Sequence, residues 1–184
     1  MKILKKALLV LLIIIAIPLI IALFVKREYT VKRDITINKP NSEVFDYIKH
    51  LKNQDNYSKW VRTDPKMKKD FRGTDGTVGF IYAWNGNDKA GEGEQEITNI
   101  TEGQRLDVVV RFKRPMESTA KAPFITRALS ANQTEVEWGL EGKSPYPLNF
   151  MNLFMDKMLG KDIETSLNTL KGILENQKTV AKDN

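Results

Sequence analysis

An unbroken apolar run marks the N-terminal part of the chain. Every residue from Ala7 to Val25 is apolar, and Pro18 is the only one of them that disfavours a helix. At about 1.5 Å of rise per residue a helix of this length spans roughly 28 Å, close to a bilayer core of about 30 Å. The run therefore predicts a transmembrane helix at residues 7–25, preceded by a short basic tail at residues 1–6.

A cleaved signal peptide is the alternative interpretation of this segment. Signal peptides have a shorter apolar region of about 7–15 residues, which ends in small residues at the cleavage site. Here the run ends in the bulky residues Leu23, Phe24 and Val25. The length and the flanks favour an uncleaved, single-pass anchor in the cell membrane.

Beyond this run the spacing of the apolar residues changes twice. Alternation predicts a first strand at Glu28–Ile37, and two short amphipathic segments predict helices at Glu43–His50 and Gln54–Trp60. After Pro147 the spacing is helical to about Glu175, with Gly160 as a candidate kink, which predicts one long C-terminal helix. Between these helices, period two predicts strands at Lys66–Phe71, Val78–Trp84, Glu92–Ile100, Leu106–Phe112, Thr119–Leu129 and Glu135–Glu141.

This order of elements resembles the START/Bet v 1-like (SRPBCC) superfamily, the polyketide cyclase/dehydrase and lipid-transport group. The resemblance covers Tyr29 to Leu174, and its order and spacing are more specific than any single piece. The segments that carry it are Ile35–Pro40 with Glu43–Phe45, Trp60, Gly76–Gly79, Gly91–Glu94, Thr134–Trp138 and Leu167–Leu174.

The resemblance implies an α+β helix-grip fold. In that fold an antiparallel, curved sheet of about seven strands wraps around a long C-terminal helix, with two short helices after the first strand. The domain is then expected at residues 26–178, with a polar tail at 179–184.

The resemblance also implies a cavity between the sheet and the long helix. Physical reasoning agrees, because a single helix cannot fill a strongly curved sheet to the density of an ordinary core. The residues predicted to line it are Phe80, Tyr82, Trp84, Val108, Val110, Phe112, Phe124, Trp138, Met151, Phe154, Met155 and Met158.

The net charge of +6 is concentrated around the apolar run, because residues 1–34 alone carry +5. Lysine and arginine at these positions suit anionic head groups, and the predicted domain has no basic stripe for nucleic acid. We therefore expect the lipid bilayer, contacted through residues 7–25, as a partner, and no nucleic acid. The two flanks are almost equally basic, but a very short tail before a long domain favours export of the domain.

Few residues are suited to catalysis or metal binding. His50 is the only histidine that a Ser-His-Asp triad could use, and its place at the end of a short helix beside Lys49 and Lys52 favours a solvated residue over a base. The absence of cysteine excludes disulfides and thiolate chemistry, and with a single histidine it excludes the common zinc sites. Glu92, Glu94 and Glu96 share one strand face, which is typical of a solvated surface. The glycine-rich Gly73–Gly79 leads into a strand, so it lacks the helix N-terminus of a phosphate loop. No catalytic residue, metal site or cofactor is predicted, and the question of enzymatic activity stays open.

Three functions remain possible from the sequence. The first is a membrane-anchored domain that binds a hydrophobic small molecule or lipid in an apolar cavity. The second is a polyketide cyclase- or dehydratase-like enzyme acting on a hydrophobic or aromatic substrate, which would need titratable groups with shifted pKa values inside the cavity. The third is a protein-interaction domain without a cavity, whose interior would be filled.

Overall fold

The computed structural model describes residues 2–176, and within them the chain forms four α-helices and eight strands. The α-helices are α1 (Lys2–Ala22), α2 (Asn41–Lys49), α3 (Gln54–Tyr57) and α4 (Asn152–Asn176). Single turns of 3-10 helix lie at Leu51–Asn53, Val61–Thr63 and Leu148–Met151. The strands are β1 (Glu28–Ile37), β2 (Lys68–Arg72), β3 (Ile81–Asn85), β4 (Glu92–Thr101), β5 (Arg105–Arg114), β6 (Ser118–Lys121), β7 (Phe124–Ser130) and β8 (Gln133–Lys143).

All eight strands belong to one antiparallel sheet, with the order β1-β8-β6-β5-β4-β3-β2 and with β7 paired to both β5 and β8. The predicted α+β class, the long C-terminal helix and the short helices after β1 are confirmed. The polar, lysine-rich β2 forms an edge, as its composition suggests.

The sheet has one strand more than expected, because the segment predicted as a single strand at Thr119–Leu129 is divided. Pro123 has no N–H to donate to a neighbouring strand, and β6 ends at Lys121 while β7 begins at Phe124. The two halves lie end to end between β5 and β8. The break bends the sheet at its centre.

Two other predicted boundaries differ for local reasons. The strand predicted from Val78 begins only at Ile81, because Gly79 adopts φ +86°, which is incompatible with a regular strand. The second short helix ends at Tyr57, so Trp60 lies beyond it. Trp60 nonetheless packs edge-on against Trp138, with ring centroids 5.4 Å apart.

The core lies between the concave face of the sheet and the second half of α4. That half presents a fully buried stripe to the sheet, spaced three and four residues apart. Helix α2 closes one end of this core with its own buried stripe. The residues concerned are Ile163, Leu167, Leu170 and Leu174 of α4, and Val44, Phe45 and Ile48 of α2.

Arg33 of β1 holds α4 against the sheet edge. Its Nε donates to Glu164 (2.7 Å), and its Nη1 donates to Asp156 (2.9 Å) and to the Lys32 carbonyl (2.7 Å). These two carboxylates raise the pKa of Arg33. The guanidinium occupies the space where a side chain at Gly160 would lie, since Nη2 is 2.1 Å from an ideal Cβ there. The helix continues through Gly160, so this glycine makes room for an arginine and does not end the helix.

The N-terminal helix is largely outside the folded domain. Residues Ile3–Ala22 have a mean hydropathy of 2.7, and this segment is long and apolar enough to cross a membrane. Most of its large apolar side chains are exposed, whereas Ala22 at its end is buried. The helix begins at Lys2, so the basic residues of the predicted tail extend it. The tail predicted at 179–184 lies outside the described residues.

The two glycines of α4 give opposite predictions for the same substitution. We expect Gly160→Ala to lower the free energy of unfolding by about 1–3 kcal/mol, because the methyl group displaces Arg33. Gly172 has open space around it, and Gly172→Ala should stabilise by about 0.5–1 kcal/mol through the helical preference of alanine. Urea unfolding of the detergent-solubilised full chain measures both. Equal effects at the two positions would contradict the assigned role of Gly160.

Candidate functional site

A cavity of about 270 Å³ lies between the concave sheet face, α3, the turn at Val61–Thr63 and Leu159 of α4. It exists because α4 packs tightly against the sheet only beyond Gly160. Nearer its start, the helix leaves the inward side chains of β3, β5 and β8 uncovered.

Seven of the twelve residues predicted to line a cavity lie in its wall. They come from four strands, which the sheet curvature brings around one space. These residues are Tyr82 and Trp84 of β3, Val108, Val110 and Phe112 of β5, Phe124 of β7 and Trp138 of β8.

The structure places the other five predicted residues elsewhere. Phe80 is buried in the core and stacks on Phe71 of β2, and Met155 is half-buried beside the core. Phe154 and Met158 on the outer face of α4, and Met151 just before the helix, are about half exposed. Phe154 and Ile163 are nine residues apart, which is two and a half helical turns at about 3.6 residues per turn, so they lie on opposite faces. The stripe of α4 that appears continuous in the sequence is therefore two separate stripes.

Aromatic rings form most of the wall and hold each other in place. Trp138 stacks on Phe124 with centroids 4.5 Å apart, and Trp84 meets Phe112 edge-on at 6.0 Å. The Trp84 indole lies over Gly93, where a Cβ would approach the ring to 2.8 Å, and its Nε1 donates to the Ala90 carbonyl (3.1 Å). These contacts give the cavity a rigid shape, since each ring is fixed by a neighbour.

One pair of buried amides interrupts the apolar wall. Gln95 of β4 donates through Nε2 to Oε1 of Gln54 at the start of α3 (3.1 Å), and both residues are more than 90% buried. This bond leaves the amide NH₂ group of Gln54 and the carbonyl oxygen of Gln95 unused. A bound molecule with one hydroxyl or carbonyl group could be recognised here.

Tyr82 carries the other polar group inside the cavity. Its hydroxyl donates to Asp55 (2.7 Å), which is also paired with Lys69 (2.7 Å). Burial, together with the bond to Asp55, raises the pKa of Tyr82 well above its ordinary value. The hydroxyl therefore stays protonated at physiological pH, and its oxygen can still accept a hydrogen bond.

The remaining charged residues considered from the sequence face away from the cavity. Arg111 is bound to Glu94 and Glu96 on the convex face of the sheet. The Nδ1 of His50 lies 2.8 Å from the Asp46 carbonyl, away from the cavity wall. Within residues 2–176, no three histidine, cysteine, aspartate or glutamate side chains come together as metal ligands.

Sequence reasoning did not single out several residues of the wall. Gln95 could have been found, because the glutamates on either side of it at 92, 94 and 96 face solvent and alternation turns Gln95 inward. Ala122 and Leu140 follow from the same alternation, because they share a face with Phe124 and Trp138. Trp60 and Gly91 belong to the segments that carry the family resemblance. No sequence signal marks the other wall residues, which are Gln54, Ser58, Val61, Thr63, Met67, Lys89, Ala90, Arg114, Pro115 and Leu159.

No protein-family model and no curated protein matches the chain in sequence, but several solved structures match it in shape. Norcoclaurine synthase from Thalictrum flavum, solved with dopamine and hydroxybenzaldehyde, has a TM-score of 0.63 at 8% identity, over 87% of this chain and 94% of that one. The chain shares this helix-grip fold. DynU16, from the dynemicin biosynthetic locus, has a TM-score of 0.56 at 13% identity over 81% of this chain and 48% of that one.

The likeness extends to another kind of helix-grip protein. Aha1 from Colwellia psychrerythraea, solved in solution as a dimer, has a TM-score of 0.53 at 16% identity, over 81% of this chain and 98% of that one. Identities in this range reflect a shared fold, and the fold accommodates proteins that differ widely in name and setting.

The amide pair predicts a non-additive response to substitution. Gln95→Leu leaves the Gln54 carboxamide buried without its partner and should cost about 1–3 kcal/mol of stability. Changing both residues to leucine removes both polar groups and should cost less than the single change. Urea unfolding of the three proteins in detergent tests this, and a double variant that loses the sum of both single changes would contradict the pairing.

Proposed function

We propose that this protein is a membrane-tethered domain that holds a compact hydrophobic molecule in its helix-grip cavity. The observation that carries the proposal is the apolar, aromatic-walled space with a buried pair of amides on one side. Apolar sites with a few fixed polar groups are the usual form of small-molecule pockets.

The size and polarity of the cavity narrow the ligand. At about 270 Å³ it is slightly below the range of about 300–1,000 Å³ typical of small-molecule sites. This favours a compact molecule, such as one with one or two rings or a single short chain, over a lipid with two long chains. The Gln54–Gln95 pair and Tyr82 favour a molecule with a hydroxyl or carbonyl group.

The tether is proposed from α1. Its apolar length matches a bilayer, and its exposed side chains need an apolar environment.

A cyclase-like enzyme is the second candidate. Tyr82, hydrogen-bonded to Asp55, is a protic group inside the cavity, and norcoclaurine synthase and DynU16 share the fold. Among the described wall residues, however, Tyr82 is the one titratable group with a shifted pKa, whereas acid–base chemistry usually needs two groups with opposed roles. The single titratable group therefore favours a binding function over an enzymatic one. An interaction domain without a cavity, the third hypothesis, requires a filled interior, which this arrangement does not provide.

The tryptophans offer a direct assay of binding. The chain has three tryptophans, and Trp60, Trp84 and Trp138 all line the cavity. Their fluorescence therefore reports on occupancy with no background from tryptophans elsewhere. Organic extraction of the purified full chain, followed by mass spectrometry, would identify a bound compound, and turnover of that compound would distinguish the enzyme from the carrier.

A matched pair of variants tests the cavity itself. We expect Val110→Phe, which adds bulk inside the cavity, to raise the Kd for naphthol at least tenfold, or about 1.4 kcal/mol. Val109→Phe makes the same change on the opposite face of β5 and should leave the Kd unchanged. Quenching of tryptophan fluorescence on titration with naphthol gives both values. Failure of the unmodified chain to quench, together with an empty extract, would rule the proposal out.

The anchor makes a separate prediction. The protein should remain in the membrane pellet after an alkaline carbonate wash, because a spanning helix is held by its apolar surface and not by charge. Peptides from residues 7–25 should be recovered from the mature protein. Release of a shortened protein lacking these residues would show that the segment is a cleaved signal peptide.

A further inference from the structure

The mouth of the cavity can be located from the exposed residues of its wall. Four wall residues are exposed to solvent: Thr63, Lys89, Arg114 and Pro115. Lys89 lies between β3 and β4, Arg114 ends β5 and Pro115 follows it, and Thr63 lies shortly before β2. The cavity therefore opens at one end of the sheet, between these residues.

The membrane helix joins the domain at the same end. Strand β1, which directly follows α1, begins at this end of the sheet, and β8, β5 and β3 finish there. The residue pairing between neighbouring strands shows that these strand ends lie side by side. The pairs are Glu28 with Lys143, Gly142 with Ala120, Ser118 with Phe112, Arg114 with Glu92, and Glu92 with Asn85.

Two asparagines fix the direction in which the membrane helix leaves the domain. Asn149 donates through Nδ2 to the carbonyls of Ala22 (2.6 Å) and Val25 (2.8 Å). Asn152 donates to the carbonyls of Lys26 (2.9 Å) and Arg27 (2.8 Å). The Ala22 carbonyl lies in the last turn of α1 and has no partner within the helix, so Asn149 satisfies a group that would otherwise need water. The contact attaches α1 to the start of α4 and limits tumbling of the domain on its tether.

An exposed apolar surface surrounds this attachment. We define the outer stripe as Met151, at the end of the 3-10 turn that leads into α4, with Phe154 and Met158 on α4; they are 41%, 46% and 54% exposed. Farther along the same face α4 carries Thr165 and Asn168, as an ordinary solvated helix does. Only the part of α4 nearest α1 is thus apolar on the outside, and Tyr146 and Leu148 just before it are also exposed.

Basic residues flank the outer stripe. Lys26 and Arg27 follow α1, and Lys157 and Lys161 lie beside the stripe on α4. None of these four forms an ion pair with a carboxylate in the part of the chain that the structure describes. An apolar stripe with lysines beside it, next to the end of a membrane helix, has the chemistry of a segment lying in a bilayer interface with anionic head groups.

We propose that the outer stripe lies in the interface of an anionic bilayer, which turns the mouth of the cavity towards the membrane. The ligand then enters from the lipid phase, so its class is a hydrophobic molecule dissolved in the membrane and not one captured from water. The inference rests on the anchoring part of the proposed function. The occupant of the apolar surface is the bilayer, because that surface continues directly from α1.

Single labelled cysteines can test this orientation, because the chain has no cysteine of its own. The variants are Phe154→Cys and Lys89→Cys at the membrane end, with Asn168→Cys on the same helix and Asn132→Cys in the β7–β8 turn as far-end controls. Each full-length variant carries a nitroxide label and is reconstituted in vesicles of phosphatidylcholine and phosphatidylglycerol. Relaxation by oxygen and by a water-soluble nickel chelate then gives the depth of each label.

We expect the labels to differ in their depth in the bilayer. The label at 154 should lie about 5–10 Å into the boundary between head groups and acyl chains. The label at 89 should lie at the head-group surface, and those at 132 and 168 should be fully accessible to the nickel chelate. Omitting phosphatidylglycerol should make the label at 154 shallower, because the basic residues lose their partners. Unchanged unfolding midpoints confirm that the variants are folded.

Two outcomes would overturn the inference. The first is a label at 154 as accessible to nickel as the one at 168 while the protein stays in the membrane, which would show a domain that tumbles freely. The second is loss of the anchor, which the carbonate wash detects. An empty cavity with a deeply placed label at 154 would remove the ligand proposal and leave this orientation standing.

Discussion

The structure depends on how α4 crosses the curved sheet. Beyond Gly160 the helix touches the sheet closely, with Ile163, Leu167 and Leu170 fully buried, and the Arg33 guanidinium fixes the crossing point. Before Gly160 no residue of α4 is fully buried, and the helix leaves the centre of the sheet open. A single rigid rod cannot follow a curved surface along its whole length, so the close contact at one end and the cavity at the other have the same origin.

The open part of the sheet contains most of the features on which a function can be built. Its wall contains aromatic rings that fix each other. Gln54 bonds to Gln95 and Tyr82 bonds to Asp55, and the hydrogen-bonding groups that these bonds leave unused are available to a ligand. Such a wall is well suited to hold and orient a guest, whereas the single shifted pKa offers little for proton transfer.

The fold was predictable because it follows from periodicity. The change from alternating to helical spacing located β1, β5, β8 and α4 within a few residues, and the order of elements indicated the helix grip. The errors arose where one residue overrides the pattern. Pro123 divides a strand, and the positive φ of Gly79 delays β3. Neither effect changes the spacing of apolar residues on which such predictions rest.

The sequence by itself determined which residues share a face, and that the N-terminal helix is long enough to span the thickness of a membrane. Only the tertiary structure decided which face is turned inward, because that depends on distances between elements far apart in the chain. Met151, Phe154 and Met158 have the same chemistry as a cavity wall, yet they lie outside, while Gln54 and Leu159 lie within. The attachment of α1 by Asn149 and Asn152 is likewise tertiary, since it joins carbonyls and amides that are about 125 residues apart.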